Sequence, residues 1–228
     1  MFVQDVMTTN PVTVTVDATL PDIARLMHDK KIRRVPVMDR EGHLVGIISD
    51  RDVRENMPSP ATTLSRWEIN TLLEQLKAEE IMTSPVLVTA PDCPLEEAAR
   101  VLIEKKIGAL PVVKEGDLVG IITETDFFQA FVDMLSGGDV PGLRFVLRVE
   151  RHKGILATLA SIINENGGGI IAIATENEPD GKHKKVLVKE EGADAAAVRK
   201  ALAEADIEVL DVRERRTCAF FTVPSDKE

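Results

Sequence analysis

The chain has 228 residues, and its 28 Lys and Arg against 38 Asp and Glu give a formal net charge of −10. This balance disfavours nucleic-acid partners, because binding to a phosphate backbone requires a basic surface. Cys93 and Cys218 lie too far apart in the sequence to build a disulfide framework or a metal knuckle, so we expect a cytoplasmic protein. The first residues have no basic segment followed by an apolar run, and no run approaches the roughly 18 apolar residues of a membrane span, so we expect neither a signal peptide nor a membrane partner.

The first part of the chain predicts elements in the order β-α-β-β-α. They are a strand at 13–16, a helix from Leu20, strands at 34–38 and 44–48, and a helix from about Asp50. Thr19 stands where a helix N-cap is expected. Gly42 ends the turn between the two later strands, at a position that requires a positive φ. We therefore expect those strands to form a hairpin.

This first part is duplicated. Nine residues within 17–39 and seven within 42–52 are identical to the residues that align with them in a second copy further along the chain. The repeated residues are Asp17, Leu20, Ala24, Arg25, Lys30, Lys31, Ile32, Pro36 and Val37 with Asp92, Leu95, Ala99, Arg100, Lys105, Lys106, Ile107, Pro111 and Val112, then Gly42, Leu44, Val45, Gly46, Ile47, Ile48 and Asp52 with Gly116, Leu118, Val119, Gly120, Ile121, Ile122 and Asp126. A unit of about 55 residues is marginal alone, so we expect the two copies to pack sheet to sheet.

A turn-rich linker and one helix connect the two copies over 57–77. Ser65 and Glu68 stand at the spacing of a capping box, and the leucines after them indicate an amphipathic helix. A second linker, 136–142, is rich in glycine and separates the duplicated part from the last part of the chain.

The last part of the chain is not a third copy. It predicts a strand at 143–149, a helix opened by Gly154, strands at 170–174 and 185–188, a helix capped by Asp194, and a strand at 207–212. The order β-α-β-β-α-β is that of a ferredoxin-like fold. We expect 216–228 to be a loose tail.

The duplicated part resembles a tandem CBS-domain pair, or Bateman module. The residues that carry the likeness are 46–52 and 120–126, the pairs Val35-Pro36-Val37 and Leu110-Pro111-Val112, and the openings Val6-Met7-Thr8 and Ile81-Met82-Thr83. The expected fold class is α+β, with CBS repeats at 1–56 and 78–135 packed as a pair. The element order of the last part and its residues 149–156 and 166–170 resemble an ACT domain, expected at 143–215, and the combination is similar to acetoin-utilisation proteins of the AcuB type.

The repeated S/T-x-x-D motif has two interpretations. Ser49 with Asp52, and Thr123 with Asp126, are spaced as an N-cap and a first-turn carboxylate, which stabilise a helix start by about 1 kcal/mol. The CBS resemblance implies a further role, in which the Asp binds the ribose of an adenine nucleotide and the Ser or Thr lies near phosphate. AMP, ADP and ATP are the expected ligands, and the two interpretations are compatible.

The two copies differ where a phosphate would bind. Arg33 and Arg34 fall where nucleotide-binding family members carry basic residues, although solvated or locally paired arginines are an equal alternative. The second copy has Gly108-Ala109 there, which supplies no charge and leaves room. We therefore expect unequal sites, lined also by Val35 and Leu110.

The third domain resembles an ACT domain, through its element order and the residues 149–156 and 166–170. That family commonly binds amino acids at a dimer interface. The resemblance implies a candidate ligand site at Arg151, Gly154 and Ile155, and a homodimer. Lys153 replaces the usual Pro, and Val149 and Gly169 stand where amino-acid-binding members often have polar side chains, so dimerisation is the favoured role.

Enzymatic chemistry is not indicated. His28, His43, His152 and His183 lack metal-ligand spacing and are expected to be solvated, as is Glu190. No nucleophile elbow, P-loop or dinucleotide motif occurs. We expect no catalytic residue, no metal and no cofactor, and a regulatory protein that couples an adenine nucleotide to a dimer arrangement or to a regulated enzyme in another chain. The alternatives are a ligand-free dimerisation scaffold and an amino-acid sensor.

Overall fold

The computed structural model describes residues 1–59, 63, 65–138 and 140–214, without the side chains of residues 66 and 136. The predicted loose tail at 216–228 lies outside the described residues. The chain divides into two compact units, Met1–Phe128 and Gln129–Glu228. Among the described residues, no helix is both long and apolar enough to cross a membrane.

The first copy has its elements in the predicted order, whereas in the second copy the first predicted strand is reduced to a single bridge between Thr89 and Val112. A 3-10 helix at Val3–Asp5 precedes β1 (Thr8–Thr9), β2 (Val14–Thr15), α1 (Leu20–Lys30), β3 (Arg34–Met38), β4 (Leu44–Ser49) and α2 (Asp50–Glu55). The chain continues with α3 (Arg66–Gln75), α4 (Ala78–Ile81), α5 (Leu95–Lys105), β5 (Ala109–Lys114), β6 (Asp117–Thr123) and α6 (Glu124–Ser136), which extends into the second unit.

The first copy forms the sheet β2-β3-β4, in which β2 is parallel to β3 and β3 is antiparallel to β4. Helix α1 begins where predicted, because the Asp22 backbone N–H donates to Thr19 Oγ1 over 3.4 Å. Gly42 has a φ of +88° in the turn between β3 and β4, which confirms the hairpin. The buried core of this copy comprises Leu20, Ile23, Met27, Val35, Val37, Ile48, Val53, Ala78 and Ile81.

The openings of the two copies are exchanged. Strand β1, from the first opening, pairs with β6 in the sheet β1-β6-β5 of the second copy. Conversely, α4 contributes Ala78 and Ile81 to the core of the first copy. Side chains at the repeated glycines would collide with these openings, since a Cβ on Gly46 would meet Met82 Sδ and one on Gly120 would meet Met7 Sδ. The exchange therefore ties the copies into one unit.

The second unit has the predicted ferredoxin-like order. Its elements are β7 (Leu143–Glu150), α7 (Ile155–Glu165), β8 (Gly169–Asn177), β9 (His183–Glu191), α8 (Ala195–Glu204) and β10 (Glu208–Glu214). The strands form one antiparallel sheet in the order β10-β7-β9-β8. Alternate residues of β7, namely Phe145, Leu147 and Val149, are buried in a core shared with α7 and α8.

Two expectations about charged side chains in this unit are wrong. Glu190 is 1% exposed rather than solvated, and its Oε2 accepts a hydrogen bond from the Ala193 backbone N–H over 3.0 Å. His183 is half-buried, and its Nδ1 lies 2.6 Å from Asp180 Oδ2. Both residues lie on β9, which is an inner strand of the sheet, between β7 and β8. The sequence pattern predicted exposed polar residues at these positions because it does not show which strands lie beside them.

Candidate functional site

Each copy of the duplicated part has a corner where the second strand of its hairpin runs into the start of a helix. In the first copy, Arg34 is paired with Ser49 across β3 and β4, and the Asp50 N–H donates to Arg33 O over 2.9 Å. In the second copy, Ala109 is paired with Thr123 across β5 and β6. The Glu124 N–H likewise donates to Gly108 O over 3.3 Å there. The two corners therefore have the same backbone construction and differ in side chains.

The S/T-x-x-D motif forms the same hydrogen bonds at both corners. The Ser49 N–H and Oγ–H each donate to Asp52 Oδ2 over 2.7 Å. The N–H and Oγ1–H of Thr123 donate to Asp126 Oδ2 over 2.7 and 2.8 Å. The carboxylate therefore binds back to the residue before the helix in both copies, and in the first copy the Asp52 N–H also donates to Ser49 Oγ over 3.3 Å, which is the predicted N-cap bond. Both carboxylates are half-buried, and among the described residues no hydrogen bond occupies the second oxygen, Oδ1, of either.

Arg34 connects the two corners. Its Nη2 lies 3.7 Å from Glu124 Oε2, and the two side chains are 23% and 59% exposed. The guanidinium occupies the place that a Cβ on Gly108 would take. The room that the sequence predicts at Gly108 therefore holds a side chain of the other copy in this structure.

Glu124 is a residue that the sequence interpretation missed. It aligns with Asp50 of the first copy, so both copies carry an acidic residue directly after the Ser or Thr, and this repetition was the available signal. The partners differ, because Asp50 Oδ2 binds Arg54 Nη2 of its own helix over 3.0 Å. Of the two aligned acidic residues, Asp50 thus forms an ion pair within its own helix, and Glu124 forms one with the other copy.

The remaining predicted nucleotide-site residues have different surroundings. Arg33 is exposed. Val35 is 0% and Leu110 is 1% exposed, so both lie within the core and neither offers surface to a ligand in this structure. Their participation in binding stays a prediction, as do the domain boundaries proposed from the sequence.

In the second unit, a cleft of about 400 Å³ lies beside the first loop after β7. It is lined by Glu150, Arg151, Gly181, Lys182 and His183. The Arg151 N–H donates to Lys182 O over 2.7 Å, which joins the two loops that form the cleft.

The structure does not gather the three predicted residues of the ACT site at this cleft. Arg151 is among its lining residues, whereas Gly154 is the N-cap of α7 and Ile155, 7% exposed, packs in the core. Arg151 is therefore the one of the three that this cleft offers to a ligand.

An ion-pair network lies next to this cleft. Arg148 donates from Nε to Glu178 Oε2 over 2.9 Å and from Nη2 to Asp180 Oδ2 over 3.1 Å. Hydrogen bonds from the His183 side chain, and then from the backbone N–H groups of His183 and Lys182, hold the pKa of Asp180 well below its usual range. The hydrogen bond to Glu178 raises the pKa of Arg148.

The same network contains the residue types of a metal site. Ligand atoms of Glu178, Asp180 and His183 all lie within 4.8 Å of one another. The Arg148 guanidinium pairs with both carboxylates, so the described contacts form an ion-pair network of the domain.

Comparison with known proteins gives matches to both parts of the chain. The family model of the CBS domain matches residues 3–59 and 78–133, and that of the TTHA0829-like ACT domain matches residues 141–213. The protein MJ1426 of Methanocaldococcus jannaschii is 32% identical over 155 residues, which cover 58% of this chain and 92% of that protein.

Two crystal structures are also similar to part of the chain. A protein from Vibrio cholerae assigned to acetoin utilization (AcuB) is 35% identical, with a TM-score of 0.50 over 60% of this chain and 93% of its own. CBSX2 in complex with AMP is 32% identical, with a TM-score of 0.48 over 58% of this chain and 96% of its own.

Proposed function

The chain belongs to the CBS domain family and carries a TTHA0829-like ACT domain after its CBS pair. On this premise we propose that it is a regulatory protein that binds an adenine nucleotide between its CBS repeats. CBS and ACT domains are regulatory modules, so the proposed output is a change in a dimer or in a partner enzyme rather than a reaction catalysed by this chain.

The observation that carries this proposal is the repeated corner carboxylate. Asp52 and Asp126 are half-buried, and each uses a single oxygen for the helix cap. A carboxylate can accept hydrogen bonds at both oxygens, so each Asp keeps an acceptor for the hydroxyls of a ribose. The structural role as a cap and the proposed role in binding are therefore compatible in the same side chain.

The two corners offer different groups to a phosphate. Arg34 is the cation that approaches both corners, and Arg33 lies next to it on the exposed side of the first copy. Guanidinium groups bind phosphate through two parallel N–H donors. The second copy supplies Gly108 and Ala109 at the aligned positions, so we propose unequal sites whose phosphate contacts depend on Arg34.

Regulation then depends on unequal affinity. A ligand shifts an equilibrium between two arrangements only if it binds one of them more tightly than the other. The exchanged openings tie the two copies together, so a ligand between them acts on the CBS pair as a whole. We propose that the ACT domain transmits this bias to a second copy of the chain or to a regulated enzyme.

A thermal-shift measurement tests the proposal. AMP, ADP and ATP, each at millimolar concentration, are compared with GMP and with inorganic phosphate, because a ligand that binds the native state raises the melting temperature. We expect stabilisation by at least one adenine nucleotide, and loss of that stabilisation in a variant carrying both Asp52→Ala and Asp126→Ala. Melting that is unchanged by every nucleotide would favour the ligand-free dimerisation module.

A second candidate function rests on the cleft at Arg151 and Lys182. Two basic side chains beside a space of about 400 Å³ suit a small anion such as an amino-acid carboxylate, and they favour an amino-acid sensor. A panel of single amino acids in the same thermal assay tests this function. Stabilisation that disappears in Arg151→Ala would support it, and the absence of any stabilising amino acid would leave dimerisation as the role of the domain.

A further inference from the structure

Glu124 is paired with Arg34, the cation to which the proposed function assigns the phosphate contact. Its carboxylate faces the Arg34 guanidinium across 3.7 Å, longer than the 2.7–3.0 Å of Arg51 with Glu55 and of Arg54 with Asp50. The pair is therefore a loose one. Exposed ion pairs of this kind contribute little to stability, and a bidentate phosphate–guanidinium contact is stronger.

The position of Arg34 has a specific cause. Gly108 has no side chain, and the guanidinium lies where its Cβ would be. Arg34 is 23% exposed in its side chain, so part of its surface stays open to a ligand while Glu124 balances its charge. The glycine thus lets a cation of the first copy meet an anion of the second.

The aligned residue of the first copy behaves differently. Asp50 is paired with Arg54 one turn further along α2, and that bond stays within a single helix. The contrast shows that an acidic residue after the capping Ser or Thr does not by itself reach Arg34. The inter-copy pair is a property of Glu124, two positions before Asp126.

We propose that Glu124 is an internal counter-ion that competes with ligand phosphate for Arg34 and thereby sets the preference between phosphorylated and uncharged adenosyl ligands. The inference rests on the proposed function, since it assigns a specificity role within that site. A phosphorylated ligand must displace Glu124 from Arg34 and lie near a second negative charge. An uncharged adenosyl ligand such as adenosine meets neither cost.

Titration of the full chain with AMP and with adenosine tests this role. The Glu124→Gln variant should bind AMP roughly two- to fivefold more tightly, with adenosine affinity unchanged, as expected when one exposed ion pair is removed. The Asp50→Asn variant is the matched control, because it removes an aligned negative charge that binds a different arginine. We expect its ratio of AMP to adenosine affinity to equal that of the wild-type protein.

A double-mutant cycle shows whether Glu124 acts through Arg34. In an Arg34→Ala background, the additional Glu124→Gln change should raise AMP affinity by a smaller factor than it does in the wild-type protein, because the contested cation is gone and only repulsion between Glu124 and phosphate remains. An AMP-to-adenosine ratio that Glu124→Gln does not alter would overturn the inference while leaving the proposed function in place. If neither compound binds any variant, the proposed function fails and the inference fails with it.

Discussion

Replacing Asp126 by Ala separates the two roles proposed for the corner carboxylates. Asp126 Oδ2 accepts hydrogen bonds from the N–H and the Oγ1–H of Thr123 over 2.7 and 2.8 Å. Loss of a helix-capping interaction costs about 1 kcal/mol of unfolding free energy. For a unit of this size, that corresponds to a fall in melting temperature of about 4 °C.

The ligand should respond more strongly than the fold. Hydrogen bonds to a charged group contribute about 1.5–3 kcal/mol, so the loss of a carboxylate that holds ribose hydroxyls weakens binding roughly 10- to 100-fold. Calorimetric titration with AMP measures this change, and the Asp52→Ala variant reports on the first copy in the same way. Because the corners are unequal, we expect the two variants to lose affinity by different factors.

The connecting helix offers a matched control. The Ser65 N–H and Oγ–H donate to Glu68 Oε2 over 2.8 and 2.7 Å, the same pattern of bonds as at Asp126. Glu68→Ala should therefore lower the melting temperature by a similar amount and leave AMP affinity unchanged. The reasoning would be refuted if Asp52→Ala and Asp126→Ala, alone and combined, retained wild-type AMP affinity while melting like Glu68→Ala.

Three further changes test the fold. Phe145→Ala truncates a side chain 1% exposed in the ACT core and should cost about 3–5 kcal/mol in denaturant unfolding. Gly120→Val should destabilise the CBS pair, because a side chain there meets Met7 of the exchanged opening. Because folding lowers the pKa of Asp180, its carboxylate stabilises the folded state at pH values above its pKa in the unfolded chain, about 3.9. This contribution is lost as the pH falls from there towards the lower pKa of the folded state. Asp180→Asn should therefore flatten acid unfolding below about pH 4.

Local signals in the sequence predicted much of the fold. The cap at Thr19, the turn glycine Gly42 and the capping motif of Ser49 with Asp52 were all predicted and are all present. Each depends on residues within a few positions of one another, whose geometry is set by backbone sterics and short hydrogen bonds. The duplication and the order of the last six elements were predicted for the same reason, since apolar periodicity is a local pattern.

The sequence was least informative where distant residues share an environment. Glu190 was predicted to be solvated but is buried, and it lies on β9, an inner strand whose neighbours β7 and β8 come from other parts of the sequence. His183 reads as an isolated surface histidine, yet Asp180 and Arg148 lie beside it, and Arg148 comes from another strand. Burial of a residue depends on which other element packs against it. The apolar periodicity of a segment contains no information about that other element.

By itself, the sequence determined the duplicated unit, the ferredoxin-like unit after it, and the acidic and basic residues available at each corner. Tertiary structure decided how they are combined. The two openings exchange sheets, and Arg34 of one copy lies over Gly108 of the other against Glu124. The physical reason is distance along the chain: elements form from short-range sterics and hydrogen bonds, whereas a charge pair between copies exists only once both copies have folded around the same interface.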